Sequence, residues 1–405
     1  MKKYDIVVKF FAFLFGILYF VPNGYSQESV KLSYNGSGNY ILVERTDLRR
    51  YDNGRYVGLM SREVRSFITA MDKPETVFAN VNPLDKFYDG NFYVIEGTKR
   101  SGQQVASGIH DSIPSVFKIS KTGELSMIED NGYPSFRGFP SYPEQILNPG
   151  DKWQSYAIRA VDPLNKGIVT KMPILVEYTF VRSEMYRGED VFRISAKWAT
   201  RYGGSIFDAE GDGELKSAMG SHSANILVSK KTGNAILVHD SVNETFSYFD
   251  GKQVNFKGTI SLFTEYPPVV DKTNILEPLA KLDSIKVEKT AKGLMLTIEN
   301  LRFKPDSAEL LPGEEMRLMK IAEILRNVPK SMFLVEGHTA STGNVSGEQR
   351  LSEERAKSIA MSLANTGISA DRFICKGSGS KKPIASNSTK EGMALNRRVE
   401  ITILE

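Results

Sequence analysis

The stretch FLVEGHTASTGNVSGEQRLSEERAKSIA, residues 333–360, decides the architecture of the C-terminal third of the chain. Its first residues are typical of a short strand, because Phe333 and Val335 alternate with other side chains. Ser346 and Gln349 have the spacing of a capping box, which predicts that a long helix begins there. A strand followed by a polar loop and a helix indicates a mixed α/β unit.

The alternation of strands and helices continues on both sides of this stretch. Gly293–Phe303, Phe373–Lys376 and Asn396–Leu404 are predicted as strands. Leu310–Val328 is predicted as a helix, because its apolar residues recur every three or four positions. The order β-α-β-α-β, followed by a short helix and a last strand, predicts a compact α/β sandwich over residues 284–405.

Residues 27–268 are predicted to form an all-β domain that is antiparallel and rich in hairpins. Its hairpin turn signals are Asp52-Asn53-Gly54, Asp89-Gly90, Lys121-Thr122-Gly123, Lys231-Thr232-Gly233 and Asp250-Gly251. In Val254–Phe263 apolar and polar residues alternate, as in a strand with one buried face. One segment, Ser61–Ala70, has instead the pattern of a short helix. Residues 269–283 are predicted as a linker between the two domains.

The first 26 residues have the features of a secretory signal peptide. Lys2 and Lys3 supply a positive start, and Phe10–Val21 is a continuous apolar run. That run is shorter than the roughly 20 residues that a membrane-spanning helix needs. We therefore expect residues 1–26 to be removed and the mature protein to be exported to the periplasm, in association with the outer membrane.

Composition and charge argue against several classes of function. The net charge of +4 over 405 residues is too small for a dedicated nucleic-acid binder. The single cysteine, Cys375, cannot form an intramolecular disulfide, and the four histidines lack the spacing of a zinc site. We also find no nucleophile or carboxylate pair at catalytic spacing. We therefore predict no enzymatic activity, no cofactor, no metal site and no nucleic-acid partner.

Several motifs of the C-terminal unit occur in the order and spacing of one known family. They are Phe303-x-x-Asp306-Ser307-Ala308-x-Leu310, Glu336-Gly337-His338-Thr339, Leu351-Ser352-x-x-Arg355-Ala356, Lys376-Gly377-x-Gly379, Pro383-Ile384-Ala385-x-Asn387, Glu391-Gly392 and Asn396-Arg397-Arg398-Val399. The unit resembles the OmpA C-terminal domain family, which includes the Pal lipoproteins and the flagellar stator protein MotB. The resemblance covers residues 293–405 and implies an OmpA-like fold that binds peptidoglycan stem peptides without covalent chemistry.

The resemblance also implies that an aspartate and an arginine together clamp the zwitterionic diamino acid of the stem peptide. Arg355 stands at the arginine position, and its planar guanidinium suits a carboxylate. The aspartate position, directly after Gly-His-Thr, is Ala340. The loss of a charge-assisted hydrogen bond, worth ~1.5–3 kcal/mol, would weaken binding of the usual ligand about 10- to 100-fold.

Three interpretations of Ala340 stay open at this point. The domain binds a wall with a different diamino acid, it binds the usual one weakly, or it keeps the fold without the ligand. For Arg355, the alternative to ligand binding is an internal salt bridge to Glu336 or Asp306. The predicted ligand-binding residues are Arg355, Asp306, Ser307, Thr339, Ala340, Asn396 and Arg397.

These features predict a non-catalytic envelope protein that binds peptidoglycan and links it, through the β domain, to an outer-membrane or periplasmic protein. The β domain is either a soluble module or a transmembrane barrel. Charges on strands such as Val191–Thr200, where Arg193 and Lys197 share one face, favour the soluble module. A further alternative is an OmpA-like fold that has lost wall binding and follows a barrel or an enzymatic N-terminal domain.

Overall fold

The computed structural model describes residues 29–405 except 37, 73–81, 97–107, 205–210, 268–272, 281, 283–284 and 300. The predicted signal peptide lies outside the described residues. A large antiparallel sheet forms the N-terminal part of the described chain, and a smaller sheet with helices forms the C-terminal part. The predicted fold class, an all-β domain followed by an α/β domain, is therefore confirmed.

Thirteen strands lie in the N-terminal part of the described chain. They are β1 Tyr40–Asp52, β2 Arg55–Met71, β3 Lys86–Glu96, β4 His110–Asp111, β5 Ile113–Ile119, β6 Leu125–Glu129, β7 Phe136–Arg137, β8 Lys152–Val161, β9 Thr170–Tyr186, β10 Glu189–Gly203, β11 Leu215–Ser229, β12 Ala235–Tyr248 and β13 Gln253–Glu265. All of them except β4 belong to one twelve-stranded sheet of order β6-β5-β3-β2-β1-β13-β12-β11-β10-β9-β8-β7. Hairpin connections between neighbouring strands account for most of this order.

The twelve-stranded sheet curls around one large core. Its strands alternate buried and exposed residues, as in β12, where Val238, Val242 and Phe246 join the core. In a flat sheet, β8 and β12 would lie ~19 Å apart, at about 4.8 Å for each strand. The guanidinium of Arg159 on β8 nevertheless bonds the carboxylate of Glu244 on β12. The sheet must therefore curl strongly to bring these two side chains together.

Four of the five predicted hairpin turns are confirmed, and one is wrong. Asn53 and Gly54 join β1 to β2 with φ values of 48° and 80°, and positive values at both positions suit a tight hairpin turn. Asp89 and Gly90, in contrast, lie within the continuous strand β3. A Cβ atom on Gly90 would lie 2.7 Å from the Phe92 ring. This glycine therefore permits close packing and does not mark a turn.

The expectation of a short helix at Ser61–Ala70 is also wrong, because this segment is part of strand β2. Val64 and Ile68 lie in the core inside the curled sheet. Phe67 lies on the opposite face, where the C-terminal domain covers it. Burial on both faces removes the alternation of apolar and polar residues by which a half-buried strand is recognised.

The C-terminal domain is built on a six-stranded sheet of order β14-β15-β18-β16-β17-β4. Its elements are α1 Thr273–Ala280, β14 Ile285–Thr290, β15 Gly293–Ile298, α2 Glu314–Leu325, β16 Phe333–Gly337, α3 Val345–Ala364, a 3-10 turn Ala370–Arg372, β17 Phe373–Gly377, α4 Lys390–Asn396 and β18 Val399–Leu404. The predicted linker includes α1, whose Ile275 and Leu279 are buried in the core of this domain. The described part of the linker is therefore packed onto the C-terminal domain.

Helices cover one face of the six-stranded sheet. Leu318 of α2 and Ile359 of α3 share a core with Val335 and Cys375 of the sheet. Cys375 is 1% exposed, as expected for a small buried residue, and burial raises the pKa of its thiol to about 12. In the described part of the chain, no helix has the length and apolar character that are needed to cross a membrane.

The other face of the six-stranded sheet packs against the outer face of the large sheet. Three strands of each sheet contribute apolar residues to this contact: Ile41, Val43, Phe67 and Tyr93 from the N-terminal sheet, and Leu334, Ile374 and Leu404 from the C-terminal sheet. Strand β4 leaves the N-terminal domain and pairs in parallel with β17 at the edge of the smaller sheet. The two domains therefore share an apolar interface and one sheet.

Candidate ligand-binding site

The side chain of Arg355 is held in place by contacts within the C-terminal domain, but its charge has no carboxylate partner among the described residues. It projects from α3 and is 8% exposed. Its Nε donates to the carbonyl oxygen of Ser307 at 3.1 Å. Its guanidinium carbon lies 4.7 Å from the centre of the Phe303 ring. Among the described residues, no carboxylate lies within ion-pair distance of this guanidinium.

The internal salt bridges that are the alternative to a ligand role for Arg355 are not formed. Glu336 lies 2.7 Å from the Nζ atom of Lys382. Asp306 makes no ion pair in the described chain, although it lies near enough to act on the guanidinium electrostatically. Burial is the main cause of the lowered pKa of Arg355, Arg397 lowers it further, and Asp306 opposes the shift. The cation is therefore not neutralised by a salt bridge.

A pocket of ≈ 480 Å³ opens beside Arg355. Its charged lining residues are Arg302, Lys304, Asp306, Arg355, Arg397 and Arg398. Three of these cations have partners: Arg302 lies 2.9 Å from Glu314, Lys304 pairs with Glu309, and Arg398 lies 2.7 Å from Glu400. In the described chain, Arg355 and Arg397 therefore remain as the two cations of the pocket without a carboxylate partner.

The loop after β16 holds the position at which the resemblance places an aspartate. Ala340 is 4% exposed and does not line the pocket. Its neighbour Thr339 donates its backbone N–H to the carbonyl oxygen of Gly379 at 2.9 Å. The buried hydroxyl of Thr339 has no hydrogen-bond partner among the described residues. Because the Ala340 side chain has no polar atom, this position offers no side-chain acceptor to a ligand ammonium.

The same loop is fastened to the start of α3. The helix begins at Val345, and Asn344 is its N-cap, with Oδ1 accepting a hydrogen bond from the Gly347 N–H at 3.0 Å. The predicted capping residue, Ser346, therefore lies inside the first turn. Both residue types are good N-caps, and the sequence pattern alone favoured the serine because of Gln349.

Asn396, another predicted ligand residue, is used inside the fold. Its side chain is fully buried. Oδ1 accepts hydrogen bonds from the N–H groups of Ile384 and Ala385, at 2.8 and 3.0 Å. Nδ2 donates to the Ala385 carbonyl and to Asn387, at 2.8 and 2.9 Å. Asn396 therefore holds the segment before α4 and has no hydrogen-bonding capacity left for a ligand.

The structure thus divides the predicted ligand residues into two groups. Arg355, Asp306 and Arg397 line one pocket. Ser307 supports Arg355 through its carbonyl group, whereas Thr339, Ala340 and Asn396 lie outside the pocket lining. Sequence reasoning did not identify the contribution of Phe303, although its motif was recognised. An aromatic residue in a motif that also supplies predicted ligand residues is the signal that would have suggested it.

Three side chains near the pocket have the composition of a metal site. Donor atoms of Glu336, His338 and Glu400 lie within 4.8 Å of one another. Lys382 and Arg398 already pair with the two carboxylates, each at 2.7 Å. Burial alone would raise the pKa of Glu336, but Lys382 and other nearby lysines outweigh it and lower the pKa. A divalent cation would have to compete with these cations, so we interpret the group as a salt-bridge network.

A second polar network lies inside the β domain, where its members come from four different strands. His222 lies 2.7 Å from Asp240, Arg159 bonds Glu244, and the Thr200 hydroxyl donates to Glu244 at 2.6 Å. Burial alone would raise the pKa of Glu244, but Arg159, His222 and Thr200 together outweigh it and lower the pKa to about 2. None of these residues is more than 8% exposed. The network is therefore closed to solvent and stabilises the interior of the sheet.

The C-terminal part of the chain is similar to known proteins. The model of the OmpA family matches residues 302–397. Probable lipoprotein YiaD of Escherichia coli is 41% identical over 120 residues, which are 29% of this chain and 55% of the relative. Peptidoglycan-binding protein ArfA of Mycobacterium bovis is 39% identical over 103 residues, which are 25% of this chain and 32% of the relative. The chain thus spans about half or less of the length of these curated relatives.

A solved structure also matches. It is an outer membrane protein from Borrelia burgdorferi B31, with 37% sequence identity and a TM-score of 0.26. The match covers 30% of this chain and 97% of that chain.

Proposed function

Residues 302–397 form an OmpA family domain, and from this premise we propose that the chain is a non-catalytic envelope protein that binds peptidoglycan through the pocket beside Arg355. The proposal is carried by one observation. The Arg355 guanidinium is almost fully buried and is oriented by Ser307 and Phe303, yet it has no carboxylate partner in the described chain. A buried cation without a partner is costly, and an anionic ligand would remove that cost.

The chemistry of the pocket suits the acidic end of a stem peptide. A guanidinium can hold a carboxylate through two parallel hydrogen bonds. Arg397 lines the same pocket and adds a second positive charge. The relative named a peptidoglycan-binding protein supports this ligand class. The ligand would bind by charge and hydrogen bonds alone, with no bond made or broken.

The proposal extends to the β domain and to the location of the protein. We infer that the chain is exported to the periplasm, is associated with the outer membrane, and uses the β domain to contact another envelope component. The apolar interface between the two sheets holds the β domain against the domain that we propose binds the wall. Because β4 is shared with the smaller sheet, a partner bound to the β domain would be held in a fixed orientation to the wall.

Retention on purified sacculi tests the wall-binding proposal. The full mature chain is needed, because the isolated C-terminal domain would expose Leu334, Ile374 and Leu404. Arg355→Gln removes the charge and keeps most of the side-chain volume. Arg350→Gln on the same helix is the matched control, because the Arg350 side chain is 80% exposed and pairs with Glu354 at the surface. We expect wild type and Arg350→Gln to be retained on the sacculi to the same extent. The retained amount of Arg355→Gln should be at least tenfold lower.

The same experiment decides between this proposal and an OmpA-like fold without a ligand. Urea unfolding of both variants first establishes that each is folded. Equal retention of Arg355→Gln and Arg350→Gln would remove Arg355 from the binding site. If the wild-type protein is not retained at all, wall binding is refuted, and only the similarity of fold to the OmpA family remains.

A further inference from the structure

A second cavity, of ≈ 100 Å³, lies inside the curled sheet of the β domain. Its volume is of the same order as the ~150 Å³ of an engineered apolar cavity that accepts benzene. We propose that this cavity binds a small uncharged aromatic molecule that carries one hydroxyl or amide group. The side-chain amide of Asn234 forms the hydrogen bond with that group.

The wall of the cavity is apolar and rich in aromatic rings. Six aromatic residues line it: Tyr34, Tyr40, Phe117, Phe136, Phe139 and Tyr142. Among the described lining residues, none carries a charge. Aromatic rings pack favourably against a further ring, edge-to-face or in offset stacks. The wall therefore suits a ring, and it disfavours a carboxylate or an ammonium, because a charge that is buried without a partner is costly.

The side chains of the β domain do not fill this space. Four apolar residues line the cavity and pack against the core, yet are only partly buried: Leu42, Leu125, Phe139 and Ala235. An empty apolar cavity stays dry, so the atoms of its wall lack contacts on one side. An apolar ligand supplies these contacts and gains free energy by leaving water.

The hydroxyl groups of the wall are already engaged inside the fold. The Tyr34 hydroxyl donates to that of Tyr88 at 2.7 Å, and the Tyr40 hydroxyl interacts with that of Tyr34. The hydroxyls of Tyr142 and Thr264 donate to backbone carbonyl oxygens, at 2.6 and 2.9 Å. These four hydroxyls therefore have partners before any ligand binds.

The side chain of Asn234 differs from these hydroxyls. Asn234 lines the cavity and is 6% exposed. Its backbone N–H donates to the Thr232 hydroxyl at 3.2 Å, but its side-chain amide forms no hydrogen bond with a described residue. A primary amide has two donors and one acceptor oxygen to satisfy. A ligand hydroxyl or amide pairs with it, whereas a purely apolar ligand leaves it unsatisfied.

The two ends of the curled sheet meet beside the cavity and supply a route into it. Strands β6 and β7 are the end strands and are not paired with each other. Leu125 of β6 and Gly138 after β7 both line the cavity, and a Cβ atom on Gly138 would lie 4.0 Å from the Leu125 nitrogen. Asp130 and Arg137 join the two ends by an ion pair at 2.7 Å. A ligand that enters between these ends therefore breaks no strand ladder.

Three probes that share one ring test the site on the full mature chain: benzyl alcohol, toluene and benzoate. Isothermal titration calorimetry measures their dissociation constants. Benzyl alcohol should bind, and benzoate should bind at least tenfold more weakly, because its charge would be buried without a partner. Equal affinities for benzoate and benzyl alcohol, or no binding of benzyl alcohol, overturn the proposal.

A variant at Asn234 tests the hydrogen bond. Asn234→Leu nearly keeps the size of the side chain and removes its amide. The ratio of the affinities for benzyl alcohol and toluene should fall at least fivefold in this variant, because toluene has no group that pairs with the amide. An unchanged ratio shows that Asn234 does not contact the ligand, and it overturns the proposal.

A variant that fills the cavity tests the location of the probe. Ala235→Leu adds three carbon atoms to the wall and should weaken binding of benzyl alcohol at least tenfold. Ala199→Leu, at an exposed position of β10, is the matched control and should bind like the wild type. Urea unfolding establishes that each variant is folded, and the two alanine variants decide the location if Asn234→Leu does not fold. Equal binding by both alanine variants places the probe elsewhere and overturns the proposal.

Discussion

The Nζ atom of Lys292 lies 2.7 Å from Oδ2 of Asp89, and this ion pair joins the turn between β14 and β15 to strand β3 of the large sheet. Both side chains are less than one quarter exposed. The side chain of Asn39 donates to the carbonyl oxygen of Ala291 in the same turn, at 2.6 Å. These polar contacts lie between the same two sheets as the apolar interface. The polar contacts and the apolar interface together fix the orientation of the two domains.

Removing the charge of Asp89 should weaken this interface. Asp89→Asn leaves Lys292 without its partner, and we expect the free energy of unfolding to fall by about 1.5–3 kcal/mol, the range for a hydrogen bond to a charged group. Urea unfolding measures the change. Glu354→Gln is the matched control, because Glu354 is half exposed and lies 3.7 Å from Arg350. It should change stability by less than ~0.5 kcal/mol, and an equal effect of both variants would contradict the role of Asp89.

The stability of the folded chain should also fall at acid pH, because carboxyl groups with lowered pKa values become protonated there. Burial alone would raise the pKa values of Asp89 and Glu336, but neighbouring lysines outweigh it and lower both. Such carboxyl groups contribute their full stabilisation above the unfolded pKa of about 4 and lose it as the pH falls through the lower folded pKa. We expect the free energy of unfolding to be nearly constant from pH 7 to about 5 and to fall below about 4.

Urea unfolding at a series of pH values measures this profile. The Asp89→Asn variant should show a shallower decline between about pH 4 and pH 2 than the wild type. Parallel profiles for the two proteins would mean that Asp89 does not contribute to the acid sensitivity.

Local features of the fold were accessible from the sequence. The turn at Asn53 and Gly54 is decided by residues within the turn itself, since both adopt positive φ. The strand, loop and helix of residues 333–360 were likewise readable, apart from a two-residue shift of the N-cap, from Ser346 to Asn344. In each case the interactions that fix the structure lie within a few residues along the chain.

Features that depend on contacts distant in sequence were not accessible. Gly90 is a glycine because of Phe92 and Ile68, and Ile68 lies on a neighbouring strand. Phe67 is apolar on an outward face because Leu334 and the rest of the smaller sheet cover it. Single-sequence periodicity records how much of a segment is buried, but it does not record which distant element buries it.

The candidate site shows the same division. The family motif identifies Arg355 as a ligand candidate from the sequence, and the structure buries its side chain. The motif match could not distinguish Asn396, whose amide is fully used inside the fold, from Arg397, which lines the pocket. Asn396 has a structural role because its side chain forms hydrogen bonds with the segment before α4. The spacing of residues in the sequence does not predict these hydrogen bonds.

The network inside the β domain gives a prediction about stability. Arg159→Met should cost about 3–5 kcal/mol, because it removes the cation that pairs with the buried carboxylate of Glu244. The double variant Arg159→Met, Glu244→Leu should recover most of that loss, since it removes both charges from the interior. Urea unfolding of the two single variants and the double variant measures the coupling. Additive losses would show that the two side chains do not stabilise each other.

The stacking of Arg355 on Phe303 gives the last prediction, which concerns binding. Phe303→Leu keeps an apolar contact but removes the ring that lies 4.7 Å from the guanidinium carbon. A cation–π contact is worth about 0.5–2 kcal/mol, so the dissociation constant for wall peptide should rise about 2- to 30-fold. Calorimetry with muramidase-released peptide measures it, with Phe249→Leu, an exposed aromatic of the β domain, as the control. Phe303→Trp should bind at least as well as the wild type, because indole is the better partner for a cation. If Phe303→Leu binds like Phe249→Leu, the ring does not orient Arg355 for its ligand, and Ser307 alone must do so.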